Sequence, residues 1–279
     1  MTETLQPPEN LVIYEVQGGF TETDRPDLGA HFLGFWVESD YTFFFFSHPA
    51  DSVMDQLLAR HRDLTLRHIH YMKYADWQDG AGFQPFTVGP LTVVPAWGEP
   101  ADLPPSTIPI RIDPGLAFGF GGHPTTRACL GFLVKIYQED SPESVLDLGT
   151  GTGILALAAA GLGAKDVLAV EYSHLAADTA SRNVMLNGQA GKIRVIRDLA
   201  EHHARTPADL VVSNLHLPVQ EAVLAQGGFD QRRYIILSGL FHSQAETMAA
   251  HLEQKGYRLI DLIRDERWVS SLWRGPDRS

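Results

Sequence analysis

Cysteine is almost absent from this sequence: Cys129 stands alone in 279 residues. That excludes an internal disulfide framework, and with it the small secreted scaffolds that depend on one. Basic residues are short as well, 22 Lys and Arg against 34 Asp and Glu, for a formal net charge of −12. A general nucleic-acid binder needs a positive field against phosphates. The balance therefore speaks against direct nucleic-acid partners and suits a basic protein or a small molecule. No apolar run approaches the length of a membrane span. The opening residues, MTETLQPPEN, lack the basic start and apolar stretch of a signal peptide. Internal repeats and low-complexity tracts are missing too. Together these absences point to the cytoplasm and away from a membrane partner, and they leave the oligomeric state open.

What is present suffices for a core: 44% of the residues are hydrophobic and 20% charged, an ordinary globular balance. Residues 1–76 read as a small α+β module. Leu11–Gln17, His31–Glu38, Tyr41–Ser47 and Thr65–Tyr74 have strand patterns, and Asp51–His61 carries a helical face of Val53, Leu57 and Leu58. The four phenylalanines Phe43 to Phe46 fit a strand buried on both sides. Residues 77–106 are punctuated by Gly and Pro and read as a linker holding one strand, LTVVPAW. From residue 107 to 279 strands and helices alternate, which predicts a doubly wound α/β sheet closed by an antiparallel-looking pair at the C-terminus.

The chemistry concentrates in VLDLGTGTGILALAA, Val145 to Ala159. An apolar strand carrying Asp147 runs into Gly149, Gly151 and Gly153 and continues as a helix. A second strand, VLAVE, ends in Glu171, where a carboxylate can accept both hydroxyls of a ribose. The glycine spacing alone also fits a dinucleotide such as NAD. Three further features favour S-adenosylmethionine. Asp147 is placed to face a cationic methionine group and would be awkward beside a pyrophosphate. Asn214, in VVSNLHLP, ends a later strand at the sheet edge where open α/β folds bind ligands. Asp113 to Thr126, DPGLAFGFGGHPTT, suits a backbone flap over a cofactor.

IDPGLAFGFGGHPTTRACL, VLDLGTGTGILALAA, VLAVEY and VVSNL, in that order, resemble the PrmA family, bacterial methyltransferases of protein eleven of the large ribosomal subunit. The bridge from Trp77 to Trp97 resembles that family's linker, whereas the N-terminal module diverges. The resemblance implies a class I, Rossmann-like S-adenosylmethionine-dependent methyltransferase with a small substrate-recognition domain. It places Thr126 against the cofactor, Gly149 along its methionine or ribose part, Glu171 on the ribose hydroxyls and Asn214 beside the methyl group, with Phe118 and His123 in the matching flap. Where the family has GTGTHPTT this chain has GFGGHPTT, so Phe120 and Gly122 replace two threonines.

The implied reaction is in-line methyl transfer to a lysine ε-amine or an N-terminal α-amine, with a basic ribosomal protein as partner. Such a displacement needs alignment, desolvation and a neutral nucleophile. The Asn214 side-chain oxygen and the Leu215 backbone carbonyl are the expected catalytic acceptors, with His216 or His123 available for the proton. A different protein or small-molecule acceptor and an NAD-dependent oxidoreductase are the alternatives. The pairs His68, His70 and His202, His203 lack the cysteines or carboxylates of a zinc set, so no metal is expected.

Overall fold

The computed structural model describes residues 8–18, 20, 28–38, 40–77, 83–97, 106–117, 119 and 121–276. Contacts divide the chain into two compact units, one of residues 1–84 with 173–175 and one of 85–172 with 176–279.

The first unit contains β1 (Asn10–Gln17), β2 (Phe32–Glu38), β3 (Tyr41–Phe46), α1 (Asp51–Arg60), β4 (Thr65–Lys73) and the single turn α2 (Tyr74–Trp77). Its strands form an antiparallel sheet in the order β2-β3-β1-β4. Alternate residues Val12, Tyr14 and Val16 of β1 join Phe44 and Phe46 of β3 and Met54 and Leu57 of α1 in one apolar cluster. Phe45, on the opposite face, is also buried and meets Trp77 edge-on. Both faces of β3 are therefore covered there, as the unbroken aromatic run implies.

The second unit opens with β5 (Phe86–Val88), β6 (Leu91–Pro95) and β7 (Ile108–Ile112), a small sheet in which β6 and β7 run parallel. Part of the proline-punctuated bridge thus pairs into strands: Pro85 and Pro90 lie just before β5 and β6 and Pro95 closes β6, places where a missing N–H costs little. Helix α3 (Pro124–Glu139) follows, an element to which the sequence reading assigns nothing. The signal was there: proline opens the helix at its first turn and His123 caps it.

After α3 come β8 (Ser144–Leu148), α4 (Ile154–Leu162), β9 (Asp166–Glu171), α5 (His174–Leu186), β10 (Ile193–Arg197), a 3₁₀ turn (Ala200–His203), β11 (Leu210–Asn214), α6 (Leu217–Ala225), β12 (Tyr234–Phe241), α7 (His242–Gln254), β13 (Arg258–Asp265) and β14 (Trp268–Arg274). They build a seven-stranded sheet in the order β10-β9-β8-β11-β12-β14-β13. The first five are parallel, and β14 runs antiparallel between β12 and β13. Central strands read as solid apolar runs because helices cover the sheet: Val145, Leu146, Leu148, Val211 and Val212 are all buried. Helix α4 is apolar on every side and nearly all of it is buried. The chain leaves β8 toward β9 on one side and reaches β11 on the other. Order therefore reverses at β8, and the crevice beyond its carboxyl end is where such sheets take ligands.

Candidate functional site

Three strand ends meet at this crevice. Asp147 lies on β8, Glu171 closes β9 and Asn214 closes β11. The glycine loop between β8 and α4 is drawn onto β9, with the N–H groups of Gly149 and Thr150 both donating to the Val170 carbonyl at 2.9 and 3.0 Å. The Gly151 N–H donates to Glu171 Oε2 at 2.9 Å. One oxygen of the expected ribose acceptor is therefore committed to shaping the loop. Gly149 has φ +71°, and a Cβ there would stand 2.2 Å from Cδ2 of Leu215. The loop and the corner after β11 are in direct contact at a spacing only glycine permits. Gly153, with φ +84°, sits at the N-cap of α4.

Asp147 is only 1% exposed. Its Oδ2 accepts the Thr150 hydroxyl at 2.6 Å, while Oδ1 is buried with no hydrogen-bond partner among the described residues. Burial raises its carboxyl from the ordinary carboxylate range to about 7, against the lowering effect of its hydrogen bonds with Thr150 and Ala156. Thr126, on the first turn of α3, is likewise buried with its hydroxyl unpartnered. Buried polar atoms without partners are rare and ask for an explanation. An orphaned carboxylate oxygen and an orphaned hydroxyl, beside a backbone cradle that a methyl group would fill, fit a cationic nucleoside such as S-adenosylmethionine.

The described part of the flap is hydrogen-bonded to the rest of the domain. Asn183 of α5, wholly buried, donates to the carbonyls of Asp113 and Thr152 at 2.9 Å each and accepts the Asp113 N–H at 2.8 Å. Thr152 Oγ1 donates to the Gly119 carbonyl at 2.8 Å, and Arg127 Nε to that of Gly121 at 3.0 Å. Sequence reasoning missed Asn183. Its only signal is an amide at a helix position that buries its neighbours Ala180 and Val184. Phe118 and Phe120 lie outside the described residues.

On the far side of β11, the Leu215 carbonyl accepts Gln220 Nε2 at 2.7 Å, and the same nitrogen donates to the Ser238 carbonyl at 2.7 Å. The expected backbone acceptor is thus already engaged once, with a second lone pair remaining. Gln220 is wholly buried, and this pinning of the corner after Asn214 was not read from sequence. His123 is half-buried: its Nδ1 caps α3 and lies 2.7 Å from Thr125 Oγ1. Trp268 meets the His123 ring edge-on at 5.3 Å and stacks on Phe241 at 4.8 Å, giving an aromatic side to this end of the sheet. Beyond β10, Asp198 pairs with His203 and His202 at 3.0 and 2.8 Å, which holds its carboxyl down at about 2. Its N–H donates to the Glu171 carbonyl at 3.1 Å, which puts it next to the expected ribose acceptor.

A mostly parallel sheet with an inserted antiparallel last strand, a glycine loop after its central strand and acids on two adjoining strand ends defines a Rossmann-like class I methyltransferase fold. A crystal structure described as ribosomal protein L11 methylase from Lactobacillus delbrueckii subsp. bulgaricus shares it, with a TM-score of 0.60 at 28% identity, covering 70% of this chain and 100% of that one. A family model described as ribosomal protein L11 methyltransferase (PrmA) matches residues 34–274, and the chain belongs to that family. Proteins named ribosomal protein L11 methyltransferase from Desulforamulus reducens and Bacillus cytotoxicus are each 36% identical over 200 and 187 residues. Those stretches are 68% and 64% of this chain but only 62% and 58% of the relatives' own length. Family membership stands against the dinucleotide alternative that the glycine spacing leaves open.

Proposed function

We propose that the protein is an S-adenosylmethionine-dependent protein N-methyltransferase that modifies amino groups, lysine ε-amines or an N-terminal α-amine, of ribosomal protein L11. The observation that carries this reading is the crevice at β8. There the buried Asp147 has a carboxyl oxygen unpartnered among the described residues, at the same carboxyl edge of the sheet as the glycine loop, Glu171 and Asn214. Asp147 and Thr126 would hold the methionine end, Gly149 and Gly151 would let backbone approach, and Glu171 would take the ribose. When bound, the cofactor supplies a methyl group activated by a sulfonium.

The chain's own residues prepare the acceptor. A lysine amine ordinarily titrates near about 10.4, and it must be neutral to attack. Burial against a cationic centre lowers it in the needed direction. The Asn214 side-chain oxygen accepts one amine N–H and so aims the lone pair. The second lone pair of the Leu215 carbonyl can accept another. His123 Nδ1 is engaged as an acceptor at the α3 cap, which puts the ring's proton on Nε2 and leaves His216 for the departing proton. Residues 1–76 would present the substrate protein, and the net charge of −12 would speed encounter with a basic one.

Incubation with labelled S-adenosylmethionine and purified ribosomal protein L11, followed by peptide mass spectrometry, is expected to find methyl groups on amines of L11. Label confined to small molecules, or absent from L11 while cofactor binds, would overturn the substrate assignment.

The Asp147 carboxyl adds a pH dependence whose sign follows from its raised value. Between the ordinary carboxylate range and about 7 the folded protein keeps a proton that the unfolded chain has released. Stability from this group is therefore lost as pH rises through about 7. A cation facing Oδ1 favours the charged form, so its binding expels that proton. Affinity for S-adenosylmethionine is expected to tighten from about pH 6 to about pH 8, by up to about tenfold per pH unit below 7. Asp147→Asn should bind weakly and lose this dependence. Calorimetric Kd values that match at both pH values in the unaltered protein would refute it.

A further inference from the structure

Asn214 can serve as an acceptor only if its amide is the right way round, and the structure contains a device that decides this. The backbone N–H of Thr125 donates to His123 Nδ1 at 3.3 Å. A backbone N–H is always a donor, so Nδ1 must carry a lone pair and the ring its proton on Nε2. Thr125 Oγ1 lies 2.7 Å from the same Nδ1, and its hydroxyl proton must therefore point at the imidazole. With that proton committed, the hydroxyl can offer only lone pairs to its other neighbour, Asn214, whose Nδ2 stands 3.3 Å away. The amide must turn its NH₂ toward Thr125. The flipped amide would set two oxygens against each other with no proton between them, an unfavourable arrangement for a poorly solvated pair. Thr125 is only 2% exposed, so water does not readily substitute. Asn214 Oδ1, in turn, receives no hydrogen bond among the described residues and is not one of the buried unpartnered atoms. It is the atom left for a ligand.

We propose that His123 and Thr125 are positioning residues for methyl transfer: the imidazole sets the direction of the Thr125 hydroxyl, and the hydroxyl sets the Asn214 amide with its oxygen turned to the incoming amine. The relay rests on the methyltransferase reading above, in which Asn214 aims the nucleophile. It links the cap of α3 to the end of β11, two elements far apart in sequence. The edge-on Trp268 ring steadies the imidazole that starts it.

The test compares Thr125→Val, which keeps the shape and removes the hydroxyl, with Thr125→Ser, which keeps the hydroxyl. Under single-turnover conditions with L11 and saturating S-adenosylmethionine, Thr125→Val is expected to be slowed by about tenfold to a hundredfold. S-adenosylhomocysteine affinity should stay within about twofold, and Thr125→Ser should recover most of the rate. In an Asn214→Ala background Thr125→Val should cost nothing further, because its effect runs through that amide. A Thr125→Val rate equal to the unaltered protein, an additive loss in the Asn214→Ala background, or no recovery by serine would each overturn the relay. A second readout needs no turnover. The Asn214 side-chain amide resonances, assigned by their loss in Asn214→Ala, should sit away from the free-asparagine position in the unaltered protein and Thr125→Ser, and move toward it in Thr125→Val. Resonances indifferent to Thr125→Val would refute the relay even if L11 proved not to be methylated, whereas unmethylated L11 alone would count only against the proposed substrate.

Discussion

Asn214→Ala is expected to slow methyl transfer to L11 by about a hundredfold or more while S-adenosylhomocysteine binds within about threefold of the unaltered protein. The reasoning is geometric. Asn214 closes β11, and the register pairs it with Ser238 of β12, while the pairing with β8 ends one residue earlier at Ser213, so the sheet holds its backbone from the β12 side. Removing the side chain disturbs little packing. What disappears is an acceptor needed only when a neutral amine lines up for attack, and such a loss falls on the rate of the chemical step rather than on cofactor affinity. Asn214→Asp is a sharper form of the same experiment. It keeps an acceptor but places a charge where Thr125 can no longer receive a proton from the amide, so partial activity that rises or falls with pH is expected. Single-turnover rates measured beside calorimetric S-adenosylhomocysteine binding decide the matter. Near-normal turnover in Asn214→Ala would remove the residue from the mechanism.

Gly149→Ala is expected to weaken cofactor binding by at least about tenfold and to lower the melting temperature by several degrees. Two costs combine. The backbone at φ +71° is one that an L side chain adopts at a cost of about 1–3 kcal/mol. The new methyl would also collide with Leu215, 2.2 Å from Cδ2 and 2.8 Å from Cγ. The Leu215 backbone is tied through its N–H and its carbonyl to Ser238 and Gln220, so relief must come from its side chain turning aside. Pressure is passed to the Asn214 corner or back into the loop whose N–H groups bond Val170. The collision is separable from the backbone strain. Adding Leu215→Ala to Gly149→Ala should return part of the melting temperature and little of the affinity, since the strained loop remains. Differential scanning calorimetry and S-adenosylhomocysteine titration of the two variants test this; full recovery of binding in the double variant would show that the loop conformation itself matters less than argued.

Much of the site was legible because strand ends are legible. Glu171 follows four apolar residues, Asn214 three and a serine, and Asp147 two, and in an α/β sheet such runs are buried strands that deliver polar residues to a common edge. The glycines between β8 and α4 announce a tight turn by themselves. Helix α3 escaped notice because the glycine-rich flap before it dominates the pattern, although Pro124 is a start signal. Asn183, Gln220 and Thr125 were not legible at all. An amide or hydroxyl in an amphipathic helix is locally indistinguishable from an exposed one. Each matters here because of what the fold brings to it: carbonyls of Asp113 and Thr152 to Asn183, those of Leu215 and Ser238 to Gln220, and the Asn214 amide to a Thr125 hydroxyl already set by the neighbouring His123 ring.

By itself the amino-acid order settled the succession of strands and helices from β8 onward, the glycine turn and which carboxylates and amides sit at strand ends, since those follow from short-range sterics and the periodicity of burial. Only the tertiary structure decided that one oxygen of Asp147 stays unpaired, that Glu171 is half-committed to the loop, that Leu215 closes over Gly149 and that Thr125 dictates how Asn214 faces. Those facts are distances between residues 20 to 89 positions apart, and pattern within a single element carries no information about what packs against it.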